Sequence, residues 1–309
     1  MHKYVLRRLL LFIPVILGVI FIVFSLLALT PGDPAKMVLG QGATPETVEA
    51  MRHQMGLDQP FLARFLNYLK DLVFHLDIGI SYNTKMPVMD SIKAALPYTV
   101  RLALCAVIVG LVFGIPIGII SAIKQYSAFD TIAMILALIG LSMPVFWLGL
   151  LLIIFFSVNL HWLPASGFDT FSKMILPSLA LGAQSVAIFA RMTRSSMLEV
   201  VRQDYIRTVR AKGQKELAII FGHTLRNSLI PIITVVGLQF GILLGGALLT
   251  ESVFSIPGIG RLMVDAIKAR DYPMVQGGVL VIALLFSAVN LLVDLVYGFV
   301  DPRIRSQYK

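Results

Sequence analysis

Long apolar runs separated by shorter polar intervals dominate the pattern of hydrophobic and polar positions along this chain. Six of these runs are long enough to cross a bilayer, because a membrane helix needs about 20 apolar residues. The runs predict spans at about 9–30, 97–123, 131–158, 175–194, 228–250 and 274–300. The sequence therefore predicts an all-α polytopic membrane protein with a single transmembrane domain over residues 1–309.

Two of the predicted spans carry signals about their shape and position. The third contains Ser142-Met143-Pro144 in its middle, which predicts a kink because proline removes a helical hydrogen bond. The fourth is weakly apolar and contains Gln184 and Ser185. We therefore expect it to lie inside the bundle and away from lipid.

Basic residues give the chain a net charge of +9 and predict its orientation. They are densest at the N-terminus, the Lys124 turn, the stretch Arg191–Arg226 and the tail, which the positive-inside rule places in the cytoplasm. We expect both termini there, with the first span uncleaved. The interval 31–96 is expected outside the cytoplasm, with one helix from Thr44 to Met55 and an amphipathic one after Phe61. Membrane orientation explains the charge better than nucleic acid does.

The interval 195–227 has its own periodicity. Apolar residues recur every fourth position at Met197, Val201, Tyr205 and Val209. They predict one helical stripe, and a second stripe runs from Leu217 to Leu225. Gly213 stands between the two, and glycine allows the positive φ that joins two short helices. The pattern alone leaves two interpretations open: a surface for a soluble partner, or a loop that merely carries positive charge.

Motifs for catalysis and for metal binding are missing from the sequence. It has no P-loop, no H-E-x-x-H pair and no G-x-S-x-G turn, and its five histidines are scattered. The single cysteine, Cys105, lies in an apolar run. We expect no enzyme activity, no metal site and no cofactor bound by this chain itself.

A few polar residues interrupt the spans, and they are the candidates for lining a transport pathway. They are Gln184, Gln239, Asn290 and Asp294. Polar groups are costly in hydrocarbon and often mark a functional site there. For Asn290 and Asp294, one helical turn apart, the alternative is a purely structural contact with a neighbouring helix or with water.

The interval around Gly213 resembles the EAA loop of permease subunits in bacterial ABC importers. Its D-Y-I-R-T-V-R-A-K-G and H-x-L-R-N-x-L-I-P stretches look like the version found in the dipeptide/oligopeptide/nickel family. Other family-like stretches cover nearly the whole chain. They are T-P-G-D-P after span one, M-G-L-D-Q-P at 55–60, D-I-G-I-S at 77–81, I-L-P-S-L-A-L-G at 175–182, E-S-V-F-S-I-P-G-I-G-R at 251–261, R-D-Y-P-M-V-Q at 270–276 and D-P-R-I-R in the tail.

The resemblance implies a type I ABC importer permease fold, with residues 195–227 as a cytoplasmic coupling loop. It implies a homologous second permease, two cytoplasmic ATPase subunits that bind ATP and Mg, and an extracytoplasmic substrate-binding protein. It assigns ATPase coupling to the first short helix and the following glycine. The residues are Asp204, Tyr205, Arg207, Thr208, Arg210, Ala211, Lys212 and Gly213. R-T-V stands where the generic motif has E-A-A, so the acidic contact of that motif is absent.

The family also implies a location in the bacterial cytoplasmic (inner) membrane and a range of substrates. These substrates are dipeptides, oligopeptides, glutathione, nickel and metal chelates. The stretch R-T-V-R-A-K-G looks peptide-type, whereas S-M-P-V-F-W-L-G with H-W-L-P-A-S-G also looks nickel-type. We expect half of a peptide translocation pathway, with nickel, chelates or glutathione as the alternative. A secondary transporter or a channel is the alternative from another class, although no half-to-half repeat or selectivity filter is visible.

Overall fold

A computed structural model of the chain describes residues 2–30, 32–40 and 42–300, and their regular elements are helices plus one isolated antiparallel bridge between Ile80 and Pro87. The helices are α1 (His2–Leu29), α2 (Pro34–Leu39), α3 (Pro45–Gln54), α4 (Phe61–His75), α5 (Val88–Ile123), α6 (Ala128–Ser142), α7 (Val145–Asn159), α8 (Phe171–Val201), α9 (Asp204–Ala211), α10 (Glu216–Ala218, Ile219–Leu225 and Arg226–Gly246), α11 (Leu248–Val253), α12 (Ile259–Lys268) and α13 (Tyr272–Val300). The predicted all-α class is confirmed. The tail that carries D-P-R-I-R lies outside the described residues.

Five of the described helices are long and apolar enough to cross a membrane, and α6 with α7 forms a sixth candidate. The described residues divide into two compact units. Unit one contains Val100–Ile256 and 286–300, and unit two contains His2–Thr99 and Pro257–Leu285. The fourth span was expected inside the bundle, and 56% of its apolar stretch in α8 is buried, compared with 11% in α1.

The third span is not one kinked helix, as Ser142-Met143-Pro144 predicted, but two helices. Helix α6 ends at Ser142, Met143 and Pro144 adopt extended ψ values, and α7 leaves at an angle of 104° to α6. Proline disfavours the helical conformation in the residue before it, so Met143 leaves the helix. The helix therefore ends at this point, and a second helix starts in a different direction.

The second span begins nine residues before the predicted start at Pro97, because α5 starts at Val88 and carries Pro97 in its interior. Its first turns are amphipathic. Val88, Ile92 and Ala95 follow helical spacing and are buried in the apolar core of unit two. This stripe lies in the interval 31–96, which was expected to precede the second span, and it extends that helix toward its N-terminus.

Helices α5 and α8 of unit one pack at very close range. A Cβ atom at Gly114 would lie 2.7 Å from the carbonyl oxygen of Val186, and one at Gly118 would lie 2.5 Å from that of Ala190. Gly182 on α8 faces α5 in the same way, and a Cβ atom there would lie 2.9 Å from the carbonyl oxygen of Ala106. Small residues at four-residue spacing let two membrane helices approach closely enough for strong van der Waals contact.

We expect Gly118→Ala to destabilise the protein, because the added methyl group would overlap the backbone of α8 at Ala190. Overpacking of this kind costs about 1–3 kcal/mol. Thermal unfolding of the purified protein in detergent measures the effect. The matched control is Gly18→Ala in α1, where a Cβ atom meets nothing within 4 Å. Equal unfolding midpoints for the two variants would contradict the close packing.

Unit two is held together by a buried carboxylate that joins two of the family-like stretches. Asp271, from R-D-Y-P-M-V-Q, is 2% exposed and accepts a hydrogen bond from the hydroxyl of Ser81, from D-I-G-I-S. It also accepts backbone N–H groups from Tyr82 (3.0 Å), Asn83 (3.3 Å) and Met274 (3.4 Å). A buried carboxylate must be satisfied in this way, because an unpaired charge in the interior is costly.

The predicted helices of the interval 31–96 are confirmed. Helix α3 begins after Thr44, whose hydroxyl oxygen accepts the N–H of Thr47, and Pro45 occupies the first turn. Asp33 caps α2 in the same way through the N–H of Ala35 and also accepts two hydrogen bonds from Arg52, at 2.8 and 3.0 Å. Side-chain caps and this ion pair therefore fix two turns of unit two.

Candidate functional site: an exposed helix pair joined at Gly213

The predicted stripe from Met197 to Val209 does not lie on one helix, and this prediction is wrong. Helix α8 continues to Val201, the chain turns at Gln203 with extended backbone, and α9 begins at Asp204. The turn resets the helical phase. Ile206 is fully buried in place of Tyr205, which is 41% exposed. The fourth span is consequently longer than predicted, Phe171–Val201 instead of 175–194.

Gly213 joins α9 to α10, as the sequence predicted. Its φ is +77°, in the left-handed region, and its N–H donates to the carbonyl of Arg210 at 3.0 Å. The N–H of Lys212 likewise donates to Thr208, at 3.1 Å. The turn therefore closes the carboxyl end of α9 in the manner of a glycine-terminated helix.

An ion pair spans this turn. The Nε and Nη2 atoms of Arg210 donate to the two carboxylate oxygens of Glu216, at 2.6 and 3.2 Å. These hydrogen bonds raise the pKa of the Arg210 guanidinium. A two-bonded arginine–carboxylate pair favours one orientation as well as one distance. The pair connects the end of α9 to the first turn of α10.

The second helix does not stop after a few turns. It runs from Glu216 through a π-helical segment, Ile219–Leu225, into the predicted fifth span without a break. Helix α9 packs against that segment. Asn227 Nδ2 donates to the hydroxyl oxygen of Tyr205 at 2.8 Å. A displacement of α9 is therefore passed on to α10 through covalent continuity, packing and hydrogen bonds.

The outer surface of this helix pair is open to solvent. All eight predicted coupling residues from Asp204 to Gly213 are exposed; of the two residues between them that were not predicted, Ile206 is buried and Val209 is half-buried. Arg207 and Asp204 are 3.8 Å apart and 76% and 98% exposed, so they scarcely restrain each other. Two apolar side chains beyond the turn, Leu217 and Phe221, are 70% and 54% exposed. Charged and apolar groups together suit the surface of a protein partner.

A buried ion pair beside this region was missed in the sequence. Asp130 is 3% exposed and accepts Nε and Nη2 of Arg194 at 2.6 and 2.7 Å. It also accepts the N–H of Tyr126 at 3.0 Å, while Ser127 caps α6. The Ser-x-x-Asp spacing signalled the helix cap. Nothing in the sequence showed that the same carboxylate reaches α8, 64 residues away along the chain.

The structure brings only part of the predicted pathway residues together. Gln239 is 5% exposed, and its Nε2 donates to the hydroxyl of Ser185 at 3.4 Å. Gln184 is half-buried on the neighbouring position of α8. The Asn290 side-chain oxygen is buried without a hydrogen-bond partner among the described residues. Asp294 lies on α13, but its side chain is outside the described residues.

No group of three or more His, Cys, Asp or Glu side chains in residues 2–30, 32–40 and 42–300 is arranged to hold a metal ion. The exposed helix α9 is joined through Gly213 to a helix that continues into the predicted fifth span. An arrangement of this kind can transmit movement of a soluble partner to the spans.

Comparison with known proteins agrees with this architecture. Residues 114–306 match the family model described as "Binding-protein-dependent transport system inner membrane component". Residues 1–103 match "Binding-prot-dependent transport system membrane comp, N-term". A solved structure titled "Inward facing conformations of the MetNI methionine ABC transporter" shares the fold, with a TM-score of 0.57 at 16% identity, covering 69% of this chain and 97% of that one.

Curated relatives extend over the full length. The dipeptide transport system permease protein DppB of Alkalihalophilus pseudofirmus is 46% identical, covering 99% of this chain and 100% of the relative. DppB of Escherichia coli K12 is 42% identical, with 99% of each chain covered. The glutathione transport system permease protein GsiC of Pectobacterium atrosepticum is 45% identical, with 99% of each covered. The chain belongs to the family of binding-protein-dependent transport system inner membrane components, with the fold of an ABC importer permease.

Proposed function

We propose that this chain is one of two homologous permease subunits that together form the translocation pathway of an ATP-driven peptide importer. The carrying observation is the exposed helix α9, joined at Gly213 to a helix that continues through the fifth span. The relatives named for dipeptide transport support peptides as the substrate class. The chain carries no catalytic role in this proposal, since ATP and Mg bind to partner subunits.

In this arrangement the loop 195–227 and both termini face the cytoplasm, in accordance with the positive-inside rule. Two ATPase subunits dock there, and a binding protein delivers the substrate from the other side. The coupling residues are Asp204, Tyr205, Arg207, Thr208, Arg210, Ala211, Lys212 and Gly213. Their exposed basic groups favour acidic groove walls on the ATPase and accelerate encounter.

The polar residues inside the spans are proposed to line the pathway. Gln239 and Ser185 already form a buried polar contact between α8 and α10, next to Gln184. Asn290 and Asp294 belong to α13, one turn apart. Uncharged amides can exchange hydrogen bonds with a passing peptide backbone without holding it tightly.

ATPase stimulation tests the whole proposal. The chain would be purified with the products of its neighbouring genes, placed in nanodiscs and mixed with binding proteins carrying dipeptides, longer peptides, glutathione or nickel chelate. We expect stimulation by a peptide-loaded binding protein. Stimulation only by glutathione would assign the substrate of the GsiC-like relatives instead. If no ATPase co-purifies and no ligand stimulates, the importer proposal fails.

The ion pair between Arg210 and Glu216 gives a second test of the coupling loop. Because the two side chains act as one unit, Arg210→Gln and Glu216→Gln should each lower stimulated ATPase activity, and the double variant should be no worse than the poorer single. Arg207→Gln and Asp204→Asn form the matched control pair. These groups are 3.8 Å apart and highly exposed, so the effects of the two substitutions should be additive. Additive losses at 210 and 216 would show that the pair does not set the turn.

A further inference from the structure

One face of α8 carries a line of side chains beginning at the polar contact in the middle of the span. Gln184, Ile188, Arg191 and Ser195 are separated by four, three and four residues, a spacing that places them on one side of a helix. The line begins beside the Ser185–Gln239 hydrogen bond. It ends at Ser195, the first residue of the loop 195–227, so it joins two regions that the proposed function already uses.

The lower part of this line opens into a cavity of about 480 Å³ in unit one. Helices α6, α8 and α10 contribute its walls. The lining residues are Met134, Ile188, Arg191, Met192, Arg194, Ser195 and Val235. Val235 lies one helical turn from Gln239 on α10, so the cavity continues the polar contact between α8 and α10. Its volume is within the range of about 300–1,000 Å³ usual for small-molecule sites.

The two arginines of this cavity differ in what they contact. Arg194 is 24% exposed and gives Nε and Nη2 to the buried carboxylate of Asp130. Arg191 is exposed and makes no ion pair or hydrogen bond with any residue that the structure describes. The cavity is therefore lined by Arg194, which Asp130 holds in place, and by Arg191, which has no such partner among the described residues. The Ser195 hydroxyl lies one helical turn from Arg191.

The positive-inside rule explains an arginine near the cytoplasmic end of a span, but not this placement. A side chain that only serves orientation reaches along the helix to the lipid headgroups. Arg191 instead lines a cavity between three helices, together with a second arginine that a buried carboxylate holds in place. Charged groups of membrane spans that face a water-filled cavity typically mark a substrate or ion route.

We propose that Arg191 binds the carboxylate of the transported peptide at the cytoplasmic end of the pathway. The inference rests on the proposed peptide-importer function. A guanidinium binds a carboxylate through two parallel hydrogen bonds, and every unmodified peptide carries one such group at its end. Arg194 does not compete for this carboxylate, because Asp130 already accepts two of its hydrogen bonds. The site would hold the leading end of a peptide after it passes Gln239.

Photolabelling of the complete importer tests this binding site directly. The complex would be placed in phosphatidylcholine nanodiscs without binding protein or ATP, and incubated with a photoreactive dipeptide carrying either a free carboxylate or a carboxamide. We expect about tenfold stronger labelling by the carboxylate, as for the loss of one charged hydrogen-bonding partner. Arg191→Gln should lower carboxylate labelling about tenfold and leave amide labelling unchanged, with Arg191→Lys in between.

Two controls distinguish carboxylate binding by Arg191 from a general effect of lost positive charge and from lipid binding. Arg202→Gln removes the same charge from an exposed arginine at the end of α8, outside the cavity, and should label like the unmodified chain. Equal loss for both peptides in Arg191→Gln, or no loss for either, would overturn the proposal. An effect of Arg191→Gln seen only in phosphatidylglycerol nanodiscs would assign the residue to a lipid phosphate and would also overturn it.

The proposed function is tested separately by ATP-driven uptake of the free dipeptide in proteoliposomes containing the unmodified importer and its binding protein. Absent uptake would remove the function on which the inference rests. Uptake without any discrimination between carboxylate and amide in the labelling experiment would remove only the role of Arg191.

Discussion

Gly213→Val is expected to abolish substrate uptake while the assembled importer remains at its normal level in the membrane. Gly213 has a φ of +77°, and a Cβ atom there would meet nothing within 4 Å. The cost of valine is therefore one of backbone conformation and not of space, since β-branched residues strongly disfavour the left-handed region. The turn must open, and α9 loses its fixed angle to α10.

A graded series makes this prediction specific. Gly213→Asn should retain most uptake, because asparagine tolerates the left-handed region better than other residues, and Gly213→Ala should be intermediate. Gly222→Val is the matched control: the site is equally open but does not require a positive φ. Uptake would be measured in proteoliposomes at equal amounts of complex. Normal uptake by Gly213→Val would refute the role of the turn in coupling.

Asp130→Ala is expected to lower the stability of the protein substantially and to uncouple ATP hydrolysis from uptake. The substitution leaves the guanidinium of Arg194, 24% exposed, without the carboxylate that now accepts two of its hydrogen bonds. Breaking a buried pair on one side costs about 3 kcal/mol. It also frees the turn between α5 and α6 from the end of α8 that leads to the coupling loop.

The matched control is Asp169→Ala, which removes a carboxylate paired with Lys173 at 2.8 Å but 65% exposed. Exposed pairs contribute little, so its unfolding midpoint should not change measurably. Thermal unfolding in nanodiscs gives the stability, and uptake per ATP hydrolysed gives the coupling. If both aspartate variants unfold at the same temperature, the Asp130–Arg194 pair does not support the fold.

The membrane spans could be predicted from the sequence, although the third is two helices, because a span needs about 20 apolar residues and such a run is easily recognised. Helix caps could also be predicted: Thr44 and Pro45 predict the start of α3 at the position found in the structure. The first and last residues of the spans were harder to predict. The helix start at Val88 was obscured by Pro97, since a proline in the first turns of a span looks like a beginning.

Contacts between distant segments escaped prediction because they depend on how helices pack. No proline or glycine marks the turn at Arg202 and Gln203, so the apolar stripe from Met197 was extended through it. The turn at Gly213 could be predicted because a positive φ strongly favours glycine, which is visible in the sequence. Asp130 and Arg194 leave none, since neither residue alone indicates that the other lies 2.6 Å away.

The buried carboxylate of Asp271 stabilises the fold, and the hydrogen bonds described for it join it to none of the residues proposed to line the pathway. It ties D-I-G-I-S to R-D-Y-P-M-V-Q, so two stretches by which the family is recognised are occupied in holding each other. Residues that hold two segments of the fold together in this way do not need to contact the transported substrate. Relatives named for dipeptide and for glutathione transport are both more than 40% identical to this chain.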